Sequence, residues 1–285
     1  MENLGSKIIR VDYHDNTAPA LFAQSLKTTG FGAIRNHPID IRLIETVYAR
    51  WQEFFSAPES AKTPWLFDKQ KQDGYFPFRS ENAKNYAVKD LKEFYHVYSW
   101  GRIPDSVAAP TRELFSAMMS LGSTLLKWID DQAPKKIREQ FSMRLPEMIT
   151  NSSQNLFRVI HYPPHTGSEE SGAVRAAAHE DINLITLLPA STAMGLQVLD
   201  SEGEWHNVAS DWGEIVINVG DMLQMASQGY YKSTTHRVVN PAGPEASRPR
   251  YSMPLFVHAR PDVRLSERHT AGSYLDERLK EIGLK

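Results

Sequence analysis

The spacing of apolar residues changes partway along this chain. Up to about residue 131 they recur mainly every three or four positions, the period of an amphipathic helix. Residues 18–28 carry Leu21, Phe22 and Leu26 at that spacing and stop before Gly30, a helix-terminating residue. Residues 41–55 put Leu43, Val47, Trp51 and Phe54 on or near one face. Residues 111–131 predict the longest helix, a scaffold element against a sheet, with Leu114, Met118, Leu121, Leu125 and Trp128 close to one stripe. Short strands are expected at residues 7–12 and 32–35, the second broken by Asn36-His37-Pro38. Residues 69–85 are polar, aromatic and irregular around Gly74-Tyr75-Phe76-Pro77-Phe78, which predicts a long loop covering something.

After Asn155 the period shortens. Residues 156–162, 184–188, 196–199, 204–208, 215–219 and 251–257 are each rich in Val, Ile and Leu and bounded by turn signals, the mark of strands. Ser201-Glu202-Gly203 marks a hairpin. Many short strands at such spacing predict a sandwich or a jelly roll. Residues 271–282 close the chain as a helix with Tyr274, Leu275, Leu279 and Ile282 inward. The expected organisation is an N-terminal mixed α/β region, residues 1–110, packed on a core of helix, strands and C-terminal helix, residues 111–285.

Composition narrows the function. With 285 residues, 41% of them hydrophobic, the chain is large enough for a sizeable core. A formal net charge of -2 gives no electrostatic footprint for nucleic acid. No apolar run approaches the ~20 residues a membrane helix needs, so no membrane partner is expected. Met1-Glu2-Asn3-Leu4-Gly5 lacks a basic-then-apolar start, so the cytoplasm is the expected location. Cysteine is absent, which removes disulfides, thiolate metal sites and a cysteine nucleophile together.

Histidine and carboxylate then carry the candidate chemistry. Of the ten histidines, His14, His165, His206 and His269 lie in polar contexts and read as solvent-facing. His161 and His258 alternate with apolar neighbours and read as core or edge residues. His179 differs: it opens His179-Glu180-Asp181, and an apolar run follows at once. Residues two apart on a strand share a face, so His179 and Asp181 point at one site and Glu180 away from it. His236, in Thr235-His236-Arg237-Val238-Val239, is expected on a facing strand. Two imidazoles and a carboxylate can occupy one face of an iron(II) ion and leave the other open to substrate and O2. Arg250 and Ser252 are again two apart, and a guanidinium fork matches a carboxylate. Tyr162, on the face of Ile160, would add a hydroxyl. The combination points to a non-haem iron oxygenase with a carboxylic-acid co-substrate and a small-molecule substrate.

The same residues lie within motifs that resemble the isopenicillin N synthase-like family of iron(II)/2-oxoglutarate dioxygenases. The similar stretches are His179-Glu180-Asp181 with Leu184-Ile185-Thr186-Leu187-Leu188, Gly195-Leu196-Gln197-Val198, Trp205, Val219-Gly220-Asp221, Tyr231-Lys232-Ser233-Thr234-Thr235-His236-Arg237-Val238-Val239-Asn240-Pro241, and Arg250-x-Ser252. Gly30-Phe31-Gly32, Asn36-His37, Gly74-Tyr75-Phe76-Pro77 and Asp90-Leu91-Lys92-Glu93 extend the likeness to nearly the whole chain. The resemblance implies a mainly β fold with flanking helices and a double-stranded β-helix (jelly roll, cupin-like) core. It implies Fe(II) on His179, Asp181 and His236, and 2-oxoglutarate held by Arg250, Ser252 and Tyr162. Ile160 stands where the family often has Asn, so that contact to the co-substrate is missing. The implied activity is hydroxylation or desaturation of a small organic substrate, with succinate and CO2 released. Alternatives are a 2-oxoglutarate-independent oxidase or cyclase and a non-catalytic jelly-roll binder. Substrate is expected from the side of residues 74–84, residues 89–93 and Phe256, where Arg79, Lys84 and Lys92 would meet an acidic group. The sequence sets no oligomeric state.

Overall fold

The computed structural model describes residues 4–80, 89–167 and 169–281. Lys84, the end of the expected loop at residues 69–85, and Ile282 lie outside the described residues. The strands in chain order are β1 (Arg10–Asp12), β2 (Phe31–Arg35), β3 (Gly74–Phe76), β4 (Glu93–Val97), β5 (Leu156–Tyr162), β6 (Ala176–His179), β7 (Ile185–Pro189), β8 (Leu196–Leu199), β9 (Trp205–Asn207), β10 (Ile215–Val219), β11 (His236–Val238), β12 (Arg250–Ser252) and β13 (Leu255–Val257). They form a nine-stranded sheet, ordered β1-β2-β10-β7-β13-β5-β4-β3 with β12 also on β5, and a four-stranded sheet, ordered β6-β11-β8-β9. The two sheets face each other: Phe76, Phe94, Ile160 and Tyr162 of the larger pack against Ala176 and Val238 of the smaller. This is the jelly roll.

Period-two alternation sorts the larger sheet into an outer apolar face and an inner mixed one. Tyr95, Phe157, Val159, Leu187, Ile217, Tyr251 and Leu255 pack outward, against the helices Ile41–Ser56 and Asp105–Gln132. Their chain neighbours Phe94, Ile160, Thr186, Asn218, Arg250, Ser252 and Phe256 therefore point into the roll. The long helix lies close on the outer face because Gly122 has no side chain: a Cβ there would already stand 3.4 Å from Val257 and 3.5 Å from Leu187. Trp51 ties the two helices together, its Nε1 donating to Thr111 Oγ1 at 3.0 Å. No helix of the described residues is long and apolar enough to cross a membrane.

Several boundaries differ from the spacing-based expectation. The first strand begins at Arg10, because residues Leu4–Lys7 turn as a short helix. The long helix starts at Asp105 and runs through Pro110, six residues ahead of the expected start, so proline here did not mark its boundary. Residues 251–257 are two strands, not one, divided at Met253-Pro254; Pro254 has no N–H for a ladder, and its carbonyl accepts from Arg158 N at 3.0 Å. Within the expected covering loop, Gly74–Phe76 is a buried strand paired to β4, with Tyr75 opposite Tyr95. Tyr75 and Phe76 are both buried, and aromatic residues suit a packed, pleated surface. Strand β4 itself was not expected; only its first residue, Glu93, fell in the stretch 89–93 expected on the substrate side.

Candidate metal and co-substrate site

His179 ends β6 and His236 opens β11, and the two strands pair with these residues directly opposite. The imidazole rings consequently lie side by side, centroids 4.5 Å apart. Each ring spends its Nδ1 on a backbone carbonyl two residues back: His179 on Ala177 O at 2.8 Å, His236 on Thr234 O at 3.1 Å. Both Nε2 atoms are left facing Asp181 Oδ1, each 3.8 Å away. One donor atom from each of the three side chains lies within 4.8 Å of the others, a cluster able to hold a metal ion.

Asp181 sits in the turn after β6, and that turn is pinned to the next layer. Asp221 N donates to Asp181 O at 2.7 Å and Gly220 N to Leu184 O at 3.0 Å. A side chain at Gly220 would collide with Asn183, so only glycine admits this approach. The carboxylate is buried, and its Oδ2 accepts from Thr186 Oγ1 at 2.5 Å and Asn218 Nδ2 at 2.7 Å. Its Oδ1 is thereby left for a cation. Burial pushes the Asp181 carboxyl up, but His236, His179 and the two hydrogen bonds outweigh it and hold it below the ordinary carboxylate range. His179 lies below the usual histidine range, through burial first and His236 second, although 40% of its side chain stays open. A neutral imidazole beside an ionised carboxylate is the donor state a metal needs. That open edge also fixes the side from which the cluster is reached.

Arg250 and Ser252 lie on β12, opposite Tyr162 and Ile160 of β5. Arg250 is 2% exposed. Its Nε donates to Ala193 O at 3.0 Å and its Nη2 to Ser191 Oγ at 2.8 Å, while Nη1 is buried without a partner among the described residues. Ser191 in turn donates to Ser252 Oγ at 3.2 Å, which frees the Ser252 proton for something else. The guanidinium is locked on one edge and unsatisfied on the other, and it stands 5.1 Å from the Tyr162 ring. Buried donors of this kind fit a carboxylate.

The remaining expectations divide. Glu180 is exposed, off the cluster, and accepts from Thr235 Oγ1. His161 is bound to Glu93 Oε1 at 2.7 Å and stacked on Tyr251, a structural role. His206 is not simply solvent-facing: its Nε2 meets Asp200 Oδ2 at 2.6 Å. Lys92, expected to meet an acidic group of the substrate, is committed elsewhere. It is buried and paired with Asp90 at 2.8 Å, and Asp90 also accepts from Ala177 N. The supports Thr186, Asn218 and Ser191 were missed. The available signal was Asn218, a lone amide inside Ile215-Val216-Ile217-Asn218-Val219. Asn218→Ala is expected to lower metal affinity by about 10–100-fold through loss of Asp181's orientation. Titration of the apo-protein with Fe(II) or Co(II) measures it, and affinity unchanged within threefold would refute the role.

Comparison with known proteins fits this geometry. The 2OG-Fe(II) oxygenase superfamily profile matches residues 153–259, and the profile for the non-haem dioxygenase in morphine synthesis N-terminal region matches residues 12–114. A Shewanella oneidensis protein described as an oxygenase is 50% identical, with 98% of this chain and 99% of that chain covered and a TM-score of 0.87. A 2OG-Fe(II) oxygenase family protein of Caulobacter crescentus is 27% identical, covering 96% and 99%, with a TM-score of 0.79. The 2-oxoglutarate-dependent dioxygenase citB of Monascus ruber is 27% identical over 279 residues, 88% of this chain and 81% of its own. Relatives that match nearly end to end, and profiles that fall on both the roll and the region before it, place the chain in the 2OG-Fe(II) oxygenase superfamily.

Proposed function

We propose that His179, Asp181 and His236 hold Fe(II), and that Arg250, Ser252 and Tyr162 hold the distal carboxylate of 2-oxoglutarate. The enzyme so assembled is an iron(II)/2-oxoglutarate-dependent dioxygenase that oxidises a small organic substrate with O2 and releases succinate and CO2. The observation that carries the assignment is the pair of Nε2 atoms turned onto one carboxylate oxygen, each ring's other nitrogen being committed to backbone. Iron(II) bound there would bind and activate O2, the electrons coming from 2-oxoglutarate, oxidised to succinate and CO2, and from the substrate.

The protein's own part is orientation and shielding. Thr186 and Asn218 fix which Asp181 oxygen faces the ion. Phe256 lies opposite Thr186 across β13 and β7, on the sheet face of the residue that holds Asp181. Phe94 and Phe256 sandwich Arg158, whose Cζ is 4.5 and 5.6 Å from their rings. That apolar and cationic wall offers a surface for a substrate.

The test is a titration of 2-oxoglutarate into anaerobic, iron-loaded protein. A visible charge-transfer band from the chelate is expected, followed in air by succinate formation that a panel of small substrates stimulates. No band at millimolar 2-oxoglutarate with iron bound would overturn the reading and leave the co-substrate-independent oxidase.

A further inference from the structure

Arg175 immediately precedes β6 and is 1% exposed, as deeply buried as Arg250. Its backbone is tied down by Asn240, whose Oδ1 accepts from Arg175 N at 2.9 Å. Its Nη2 donates to Arg248 O at 3.1 Å, but Nε and Nη1 are buried with no partner among the described residues. The guanidinium stands 5.9 Å from the Tyr162 ring, and Arg250 stands 5.1 Å from the same ring. Among the described residues neither arginine forms an ion pair. An unpaired buried cation is costly, and two of them beside one tyrosine are more so. The strain registers on Arg175, pushed down to about 10 by burial and then by Arg250.

The two guanidiniums beside Tyr162 therefore carry three orphaned donors: Nε and Nη1 of Arg175, and Nη1 of Arg250. A carboxylate has two oxygens and about four acceptor positions, enough for all three. We infer that Arg175 and Arg250 clamp one carboxylate between them, the distal carboxylate of the co-substrate, and that Arg175 is a second co-substrate-binding arginine. This rests on the assignment of Arg250 above. The end of the site follows from the attachments. Arg175 is bonded to Arg248, two residues before Arg250, and it neighbours the cross-strand partner of Arg250. A carboxylate on the primary substrate would instead approach past Phe256, beside the residue that holds Asp181. A clamp with two cations selects acids that carry a carboxylate at the far end and rejects 2-oxo acids that lack one.

The experiment uses metal-free protein and glutarate, which has the distal carboxylate but no keto group to chelate iron. Glutarate is expected to raise the thermal midpoint of the wild type, and 2-oxobutyrate to leave it unchanged. Arg175→Met is expected to weaken glutarate and 2-oxoglutarate binding about ten- to a hundredfold. Its iron affinity stays that of the wild type, and its midpoint without ligand is no lower, since a buried unpaired charge has gone. Arg175→Lys, which keeps the charge and loses the fork, falls between. Glutarate binding by Arg175→Met equal to wild type overturns the clamp. A crystal structure of wild-type protein with glutarate decides the matter even if the variants do not fold. A carboxylate within hydrogen-bond reach of both arginines supports the inference. Contact with Arg250 and Ser252 alone overturns it and leaves the Arg250 assignment standing; contact with neither removes both.

Discussion

Replacing His236 with alanine is expected to abolish iron binding and turnover while leaving the fold in place. Among the described residues the imidazole supplies one of the two nitrogen donors in the cluster, and its Nε2 faces Asp181 Oδ1. Residues that merely orient a ligand carry about 10–100-fold in metal affinity or activity, so deletion of a ligand itself exceeds that range. The backbone is insulated from the change. His236 pairs through β11 with β6 and β8, and those ladder bonds do not involve its ring. The ring's other contact of note is an edge against Phe31 at 5.8 Å, which leaves a small void when lost. His206→Ala is the matched control. It lies on the β8–β9 hairpin and its Nε2 is engaged by Asp200, so iron and activity should both survive. Metal content after anaerobic loading and desalting, with succinate formation alongside, measures both variants. An undiminished iron stoichiometry in His236→Ala would sink the ligand assignment.

What could be read from the sequence was what adjacent residues determine. The helices at Ala18–Thr29 and Ile41–Ser56 and the strand Leu156–Tyr162 keep their expected bounds to within a residue, because one period governs each without interruption. The His-x-Asp and Arg-x-Ser pairs were legible for the same reason: i and i+2 share a strand face, whatever the strand lies against. The supports of those residues come from elsewhere in the roll. Thr186 and Asn218 reach Asp181 from β7 and β10, and Ser191 reaches Arg250 from 59 residues away in the chain. Nothing local distinguishes them from other strand residues. Strand β4 was obscured by its charges. Lys92 is paired with Asp90 and Glu93 with Lys62, and His161 and the Tyr75 hydroxyl hydrogen-bond the Glu93 carboxylate, so a charged stretch is buried. Such pairing brings together residues up to 68 positions apart, invisible until the sheet exists.

Arg250→Lys is expected to raise the 2-oxoglutarate concentration needed for half-maximal turnover by about ten- to a hundredfold, the equivalent of ~1.5–3 kcal/mol for a charge-assisted bidentate contact. The wild-type guanidinium does three things at once. Nε is held by Ala193 O, Nη2 by Ser191 Oγ, and Nη1 is left over for a ligand. A lysine ammonium is a point charge on a flexible stem and cannot keep both anchors while presenting a planar edge. Ala193 O and Ser191 would then lose their partner, and the charge would no longer be aimed. Ser252→Ala removes one neutral donor and should shift the same parameter less, by roughly 0.5–1.5 kcal/mol. Neither substitution touches His179, Asp181 or His236, so iron affinity should be unchanged. Turnover at saturating 2-oxoglutarate should recover most of its wild-type rate, since an interaction made equally in ground and transition states affects binding alone. Initial rates against 2-oxoglutarate, with iron loading checked in parallel, separate the outcomes. A half-saturating concentration equal to wild type in Arg250→Lys would place the distal carboxylate elsewhere; a fall in iron content instead would make Arg250 a support of the metal cluster.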